Sequence, residues 1–192
     1  MLEFMTTRLA TTRLAMDACW LKVVSPVRRL LRQQDGAVAV EFGLVAAPFL
    51  ALLFAIMETA LIFFAGQTLE TAVADSGRLI MTGEAKNYSQ TQFKDAVCEH
   101  IKGLFDCQNN IYVDVRTFST FANVTMPTPL DANKNFVDNN FQYQKGLASD
   151  IVVVRLFYQW PVYISLLGFT MQNMAGGKRL LVATAAFRNE PY

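Results

Sequence analysis

The residues with the most reactive side chains in this chain stand together at Cys98, Glu99 and His100. A thiol beside an imidazole is the pair that cysteine nucleophiles use, and His100 is the only histidine. Neighbouring residues of a helix point about 100° apart, however, so a thiolate–imidazole pair is not expected to form locally. The simpler interpretation is one half of a disulfide and a histidine on a helix surface.

Other catalytic patterns are missing from the sequence. It contains no glycine loop of the phosphate-binding kind, no metal-ligand cluster and no Gly-x-Ser-x-Gly elbow. We therefore expect a protein that is not an enzyme, with no cofactor and no metal. A thiol enzyme remains a third alternative, which requires Cys98 to be a free thiolate.

Glu41 is the more informative acid, because it stands near the start of a long apolar run. An acid at the centre of a membrane helix costs about 2.5 to 3.5 kcal/mol, so this carboxylate needs a favourable location or a partner. One alternative places it in the headgroup layer, where the helix N-terminus favours an anion. The other pairs it with a positive group during processing or assembly. Glu58, about 25 Å further along a helix, is predicted near the opposite membrane face, with no role assigned.

The apolar run that carries both acids extends from Phe42 to Gly66 and is broken only by Glu58. As a helix of about 25 residues it would be about 37 Å long, enough to cross a hydrocarbon core of about 30 Å. It is too long for the apolar region of a secretory signal peptide. We predict one membrane-spanning helix that begins near Ala37, continues as an amphipathic stem and ends near Thr82 and Gly83.

Charge is distributed unevenly around this span, although the formal net charge is only +1. Residues 1–36 carry six Lys or Arg and three acids, and Arg28, Arg29 and Arg32 lie close to the span. The positive-inside rule then places the N-terminus in the cytoplasm and the later residues in the periplasm. This pattern indicates a membrane protein and no nucleic-acid partner. A short duplication before Met16 leaves two candidate starts, Met1 and Met16.

This topology separates the three cysteines. Cys19 lies in the basic leader, whereas Cys98 and Cys107 fall beyond the span, where an oxidising compartment favours a disulfide between them. Two unrelated buried thiols are the alternative. A metal site is less favoured, because only His100 is near and the spacing fits no zinc pattern.

Beyond the stem the pattern predicts a small α+β domain. Ser89 and Gln92 match a capping box for a second helix, which should end near Gly103. Three strands follow, at Ile111–Arg116, Ile151–Tyr158 and Leu181–Phe187, and suggest a small antiparallel sheet with Pro161 ending the second strand.

Two connections in this domain are less defined. Residues 120–149 form a long connection, and its aromatic residues Phe136, Phe141 and Tyr143 should pack either on the parent sheet or on a partner. Val162–Met174 is expected to be a short helix or an irregular turn. The organisation is thus a leader at 1–36, a helix and stem at 37–83 and a domain at 84–192.

The residues from Gly36 to Phe42 resemble the processing junction of type IV pilin-like proteins, and more narrowly that of the TadE-like family of the tight-adherence (Flp) pilus machinery. The resemblance extends over nearly all of residues 30–192. It is carried further by Pro48, Glu58, Arg78–Gly83, Cys98, Cys107, Tyr158–Pro161 and Ala186–Pro191.

This resemblance implies a pseudopilin of the bacterial inner membrane. A prepilin peptidase would cut between Gly36 and Ala37, leaving Glu41 as the fifth mature residue, followed by Phe42. Glu41 would neutralise the new amino group of Ala37 on its own or a neighbouring subunit. The implied partners are that peptidase, other pilins or pseudopilins, the pilus assembly platform and membrane lipid.

The domain is larger than the small major pilin of such systems, so a minor or initiating subunit of an adhesive, biofilm-forming pilus is favoured. The main alternative is an unprocessed single-pass membrane protein with a periplasmic binding module.

Overall fold

The computed structural model describes residues 36–163 and 170–191. The leader up to residue 35, with Cys19 and the three arginines, lies outside the described residues, as do residues 164–169 of the predicted turn. Chain contacts divide the protein into two units, residues 1–52 and 53–192.

Helix α1, Ala37–Met81, is the predicted span and stem in one element of 45 residues. It is the one helix among the described residues that is long and apolar enough to cross a membrane. The chain leaves it at Gly83, whose φ of +78° is a left-handed conformation that glycine adopts at low cost. The predicted end at Thr82 and Gly83 is therefore confirmed.

In the first unit, the described part of α1 exposes large apolar side chains all round. They are Val38, Val40, Phe42, Leu44, Val45, Phe49, Leu50 and Leu52. A helix that is apolar on every side is suited to lipid and not to water.

In the second unit, one face of α1 is buried at helical spacing. The buried residues are Ile62, Ala65, Leu69, Ala72, Val73, Ser76, Gly77 and Ile80. They face the domain, whereas Leu61, Phe63 and Phe64 remain exposed. The stem is therefore the first layer of the domain's core.

Helix α2, Gln90–His100, begins with the predicted capping box. The Gln92 N–H donates to Ser89 Oγ at 3.2 Å, and the Ser89 N–H donates to Gln92 Oε1 at 2.8 Å. The expected end at Gly103 was wrong by three residues, because tighter turns replace the helical hydrogen bonds after Cys98. Gly103, at φ +97°, lies in the turn that follows the helix. A short helix that was not predicted, α3 at Cys107–Asn110, follows.

The sheet has three antiparallel strands in the order β1-β2-β3. They are β1, Ile111–Phe118, β2, Ile151–Pro161, and β3, Lys178–Arg188. All three predicted strands are present, each extended by two or more residues, and Pro161 ends β2 as predicted. Phe118 pairs with Ile151, which pairs with Arg188, while Lys178 pairs with Pro161 at the opposite end.

The central strand β2 is buried on both faces from Ile151 to Tyr158. Its residues Val152, Val154 and Leu156 pack in the core formed with α1 and α2. The other face is covered by the connection of residues 120–149. The hydrogen bond from the Glu190 N–H to the Met81 carbonyl, 2.9 Å long, ties the chain after β3 to the end of α1.

The long connection packs on its own sheet. Phe136 and Phe141 lie 6.0 and 4.9 Å from Phe157, measured between ring centroids, and Tyr143 lies 5.7 Å from Phe93. Of the two alternatives, packing on the parent domain is the one the structure adopts for these aromatic residues. The described parts of Val162–Met174 are irregular, as one alternative for that turn expected.

Candidate functional site

The predicted processing junction lies at the very start of α1. Gly36 directly precedes Ala37, the first residue of the helix, and both are exposed. A Cβ atom placed on Gly36 would meet no protein atom within 4 Å. The glycine is therefore not required by packing among the described residues.

Glu41 and Phe42 are exposed one turn further along α1. Residues four apart lie on the same helix face, so Glu41 follows Ala37 on one side of the helix. The helix N-terminus carries a partial positive charge that favours a nearby carboxylate. This arrangement is compatible with both alternatives for Glu41, the headgroup location and the pairing with an amino group.

Glu58 belongs to a contact that the sequence did not predict, which we call the clasp: Glu58 and Thr59 of α1 with Tyr163 and Met171 of the domain. Glu58 Oε1 accepts a hydrogen bond of 2.6 Å from the Tyr163 N–H. Thr59 Oγ1 lies 3.4 Å from Met171 Sδ. The only sequence signal was the isolated charge in an apolar run. The Glu58 carboxylate therefore holds the backbone of Tyr163, shortly after β2, against α1.

Cys98 and Cys107 form the predicted disulfide, with their Cα atoms 5.8 Å apart. It joins the end of α2 to the start of α3, on either side of the reversal at Gly103. Cys98 is thus no free thiolate, which removes the thiol-enzyme alternative.

His100 is half-exposed, and its Nδ1 lies 4.0 Å from Asp75 Oδ2. Within the described ranges, no group of three His, Cys, Asp or Glu residues is arranged to hold a metal.

A buried charge cluster under the long connection was missed by sequence reasoning. Asp114 is fully buried, and its Oδ2 accepts a 2.6 Å hydrogen bond from Arg155. Arg116 Nε lies 3.1 Å from both carboxylate oxygens, and the Gln142 N–H donates to Oδ1 at 2.8 Å. Arg155 also donates to the Pro127 carbonyl at 3.0 Å. The cluster therefore ties strands β1 and β2 to both ends of the connection.

Tyr143 anchors the same connection on the opposite side. Its hydroxyl is buried and has no hydrogen-bond partner among the described residues, and burial raises the pKa of Tyr143 to about 12. Lys145 Nζ lies 5.6 Å from the centre of this ring and donates to the carbonyls of Lys86 and Tyr88 at 2.6 and 2.8 Å. These contacts have a structural character and offer no reactive group.

The described features define a class: membrane proteins with one apolar helix whose C-terminal part forms the base of a small α+β domain. The family model described as TadE-like protein matches residues 36–78, which contain the junction, the apolar run and most of the stem. The resemblance found in the sequence is confirmed over those residues. The matched family is one of pilus-associated structural proteins, and the match supports a Tad pilus-associated protein. Neither the curated proteins nor the solved structures contain a match to this chain.

Proposed function

We propose that the protein is a pseudopilin, or minor pilin, that takes part in assembling or initiating a Flp/Tad adhesive pilus. The observation that carries this proposal is the start of the family match at Gly36, the residue directly before α1. The same position is the proposed cut. A prepilin peptidase would remove residues 1–36 and leave Ala37 as the mature N-terminus.

The role proposed for Glu41 follows from the charge that cleavage would create on Ala37. Cleavage creates a charged amino group on Ala37 at the start of the helix, where the partial positive charge of the helix N-terminus disfavours an unpaired cation. A carboxylate one helical turn away neutralises that group within one subunit, or the amino group of a neighbour during assembly. Other pilins or pseudopilins and the assembly platform are the proposed partners.

The proposed topology has the leader in the cytoplasm and the domain in the periplasm. It rests on Arg28, Arg29 and Arg32 before the span. It agrees with a disulfide between Cys98 and Cys107, since disulfides persist in oxidising compartments.

The deciding experiment is N-terminal sequencing with intact mass of the protein extracted from membranes of a cell that makes the pilus. We expect a mature species that begins at Ala37 and retains the disulfide. In a cell without the prepilin peptidase, the leader should remain. A single species that keeps the leader in both cells would instead favour the unprocessed membrane protein with a binding module.

A further inference from the structure

We propose that the clasp end of the domain lies in the lipid headgroup layer, so that the domain rests on the bilayer as well as being tethered to it. The occupant of this surface is the lipid of the leaflet on the domain's side. This inference depends on the membrane span alone. It holds or fails independently of processing and of pilus assembly.

The position of the membrane boundary follows from helix geometry. A hydrocarbon core of about 30 Å is crossed by about 20 residues at 1.5 Å each. Counting from Ala37 or from Phe42, the far boundary falls between Met57 and Ile62. Ile62 is also the first residue of α1 that the domain buries. The apolar span therefore ends where the domain begins, with no intervening spacer.

The clasp places a specific part of the domain at this level. Glu58 and Thr59 lie within the boundary interval, and they contact Tyr163 and Met171 directly. The headgroup region on each side of the core is only about 5 to 8 Å deep. Residues in contact with α1 at positions 58 and 59 must then lie within or against that region.

The exposed side chains at this level have the character of a membrane interface. Tyr163 is 84% exposed, although it is a large aromatic residue. On the free side of α1, Phe63 and Phe64 are 72% and 61% exposed. Tyrosine is enriched at membrane–water interfaces because its ring is apolar and its hydroxyl is polar. Headgroups and the adjoining acyl chains would cover surfaces that water does not favour.

Two cations stand at the same end of the sheet. Lys178 pairs with Pro161 and Arg179 with Trp160, where β2 approaches Tyr163. Arg179 Nη1 donates to the carbonyl of Met171 at 3.0 Å, which fixes the guanidinium beside the clasp. Neither cation forms an ion pair among the described residues. Anionic headgroups attract such cations when they lie within a Debye length of the membrane surface.

The test measures depth at Tyr163 in lipid nanodiscs. The full chain carries Cys19→Ser, and a nitroxide label is attached at Tyr163→Cys or, as the control, at Leu147→Cys. Leu147 is 77% exposed, so its exposure matches that of Tyr163, but it lies at the opposite end of the sheet next to Asn189. Power saturation then compares the accessibility of each label to oxygen and to a water-soluble nickel complex.

We expect the label at position 163 to show a higher oxygen-to-nickel accessibility ratio than the label at position 147. Equal ratios for the two labels in the nanodisc would overturn the proposal.

A second measurement leaves Tyr163 in place. Trp20→Phe leaves Trp160 as the only tryptophan, and a headgroup-attached quencher should reduce its fluorescence. No quenching of Trp160 would count equally against the proposal.

The role of the cations is tested separately with the label at position 163. In discs that contain anionic lipid, Lys178→Gln with Arg179→Gln should lower the accessibility ratio toward the value in zwitterionic discs. Arg188→Gln, a cation at the opposite end of β3, should leave the ratio unchanged. An unchanged ratio in the double variant would remove anionic lipid as the specific occupant.

Discussion

At the scale of single residues, the informative property of Gly36 is the open space around it in the described protein. A side chain at this position meets no atom of the described protein, and the same is true of Gly43 within α1. A substitution at Gly36 should therefore leave the fold of the described residues unchanged and act only on the proposed cleavage.

We predict that Gly36→Leu accumulates as an uncleaved precursor, whereas Gly43→Leu is processed normally. Both leucine side chains would have open space around them in the described protein. Only the first substitution, however, changes the residue before the proposed cut. Intact mass of each membrane-extracted variant measures the outcome. Normal cleavage of the Gly36 variant would contradict the proposed cut.

Asp114 is a fully buried acid that bonds both to Arg155 of β2 and to the long connection at Gln142. We predict that Asp114→Asn lowers the free energy of unfolding by about 3 to 5 kcal/mol, because it leaves the buried Arg155 cation without its counter-charge. Asp138→Asn, an exposed acid of the same connection, is the control and should have an effect of less than about 0.5 kcal/mol. Urea unfolding of both variants makes the comparison, and equal stabilities would argue against the cluster's role.

The raised pKa of Tyr143 predicts that the protein loses stability at alkaline pH. This pKa rises from 10.0 to about 12 because burial disfavours the phenolate. The unfolded chain therefore loses this proton first as the pH rises, so the contribution of Tyr143 to stability is intact below pH 10 and is lost between pH 10 and about 12.

Tyr143→Phe should flatten this decline in a series of denaturant titrations across that pH range. The variant should also be no less stable at pH 7, because it removes a buried hydroxyl that has no partner among the described residues. An alkaline decline that is the same in wild type and variant would show that another group is responsible.

At the scale of elements, the disulfide joins α2 and α3 across the reversal near Gly103. It closes a short loop between α2 and α3, with the cysteines nine residues apart. We predict that Cys98→Ser with Cys107→Ser lowers the free energy of unfolding by about 2 to 4 kcal/mol. Cys19→Ser should leave it unchanged. Urea unfolding of the two variants tests the difference, and equal loss in both would contradict it.

Elements with local signals were predictable from the sequence. The capping box at Ser89, the glycine after α1 and Pro161 at the end of β2 each act through a few neighbouring atoms, and all three are present. The path of residues 120–149 had no such signal. Its position depends on Asp114 meeting Arg155 across 41 residues, and a periodic pattern cannot report a contact at that distance.

The clasp was unpredictable for a similar reason. Glu58 could be recognised as an unusual charge, but its partner is a backbone N–H that any residue at position 163 would supply. The proposed processing junction, by contrast, could be recognised without a structure, because Gly36, Glu41 and Phe42 lie close together in the sequence. Their proposed roles in cleavage and assembly remain predictions.

At the scale of the whole molecule, Glu41 connects the chain to its proposed assembly. We predict that Glu41→Gln is cleaved normally but reduces pilus formation, because the new amino group of Ala37 loses its counter-charge. Glu70→Gln, an exposed acid of the stem, is the control and should assemble like wild type. Pilus yield is compared with intact mass for both variants. Normal pilus formation by the Glu41 variant would remove its pairing role.

The attachment of β3 to the stem has a mechanical consequence. The chain around β3 is joined to α1 near both ends, through Met171 and Thr59 at one end and through Glu190 and Met81 at the other. Between them, Gly77 allows Phe187 to approach the helix closely. A pull along the helix axis would load these contacts together, in shear, instead of peeling them apart one at a time. Such a geometry suits a subunit whose helix is drawn lengthwise while its domain must stay folded.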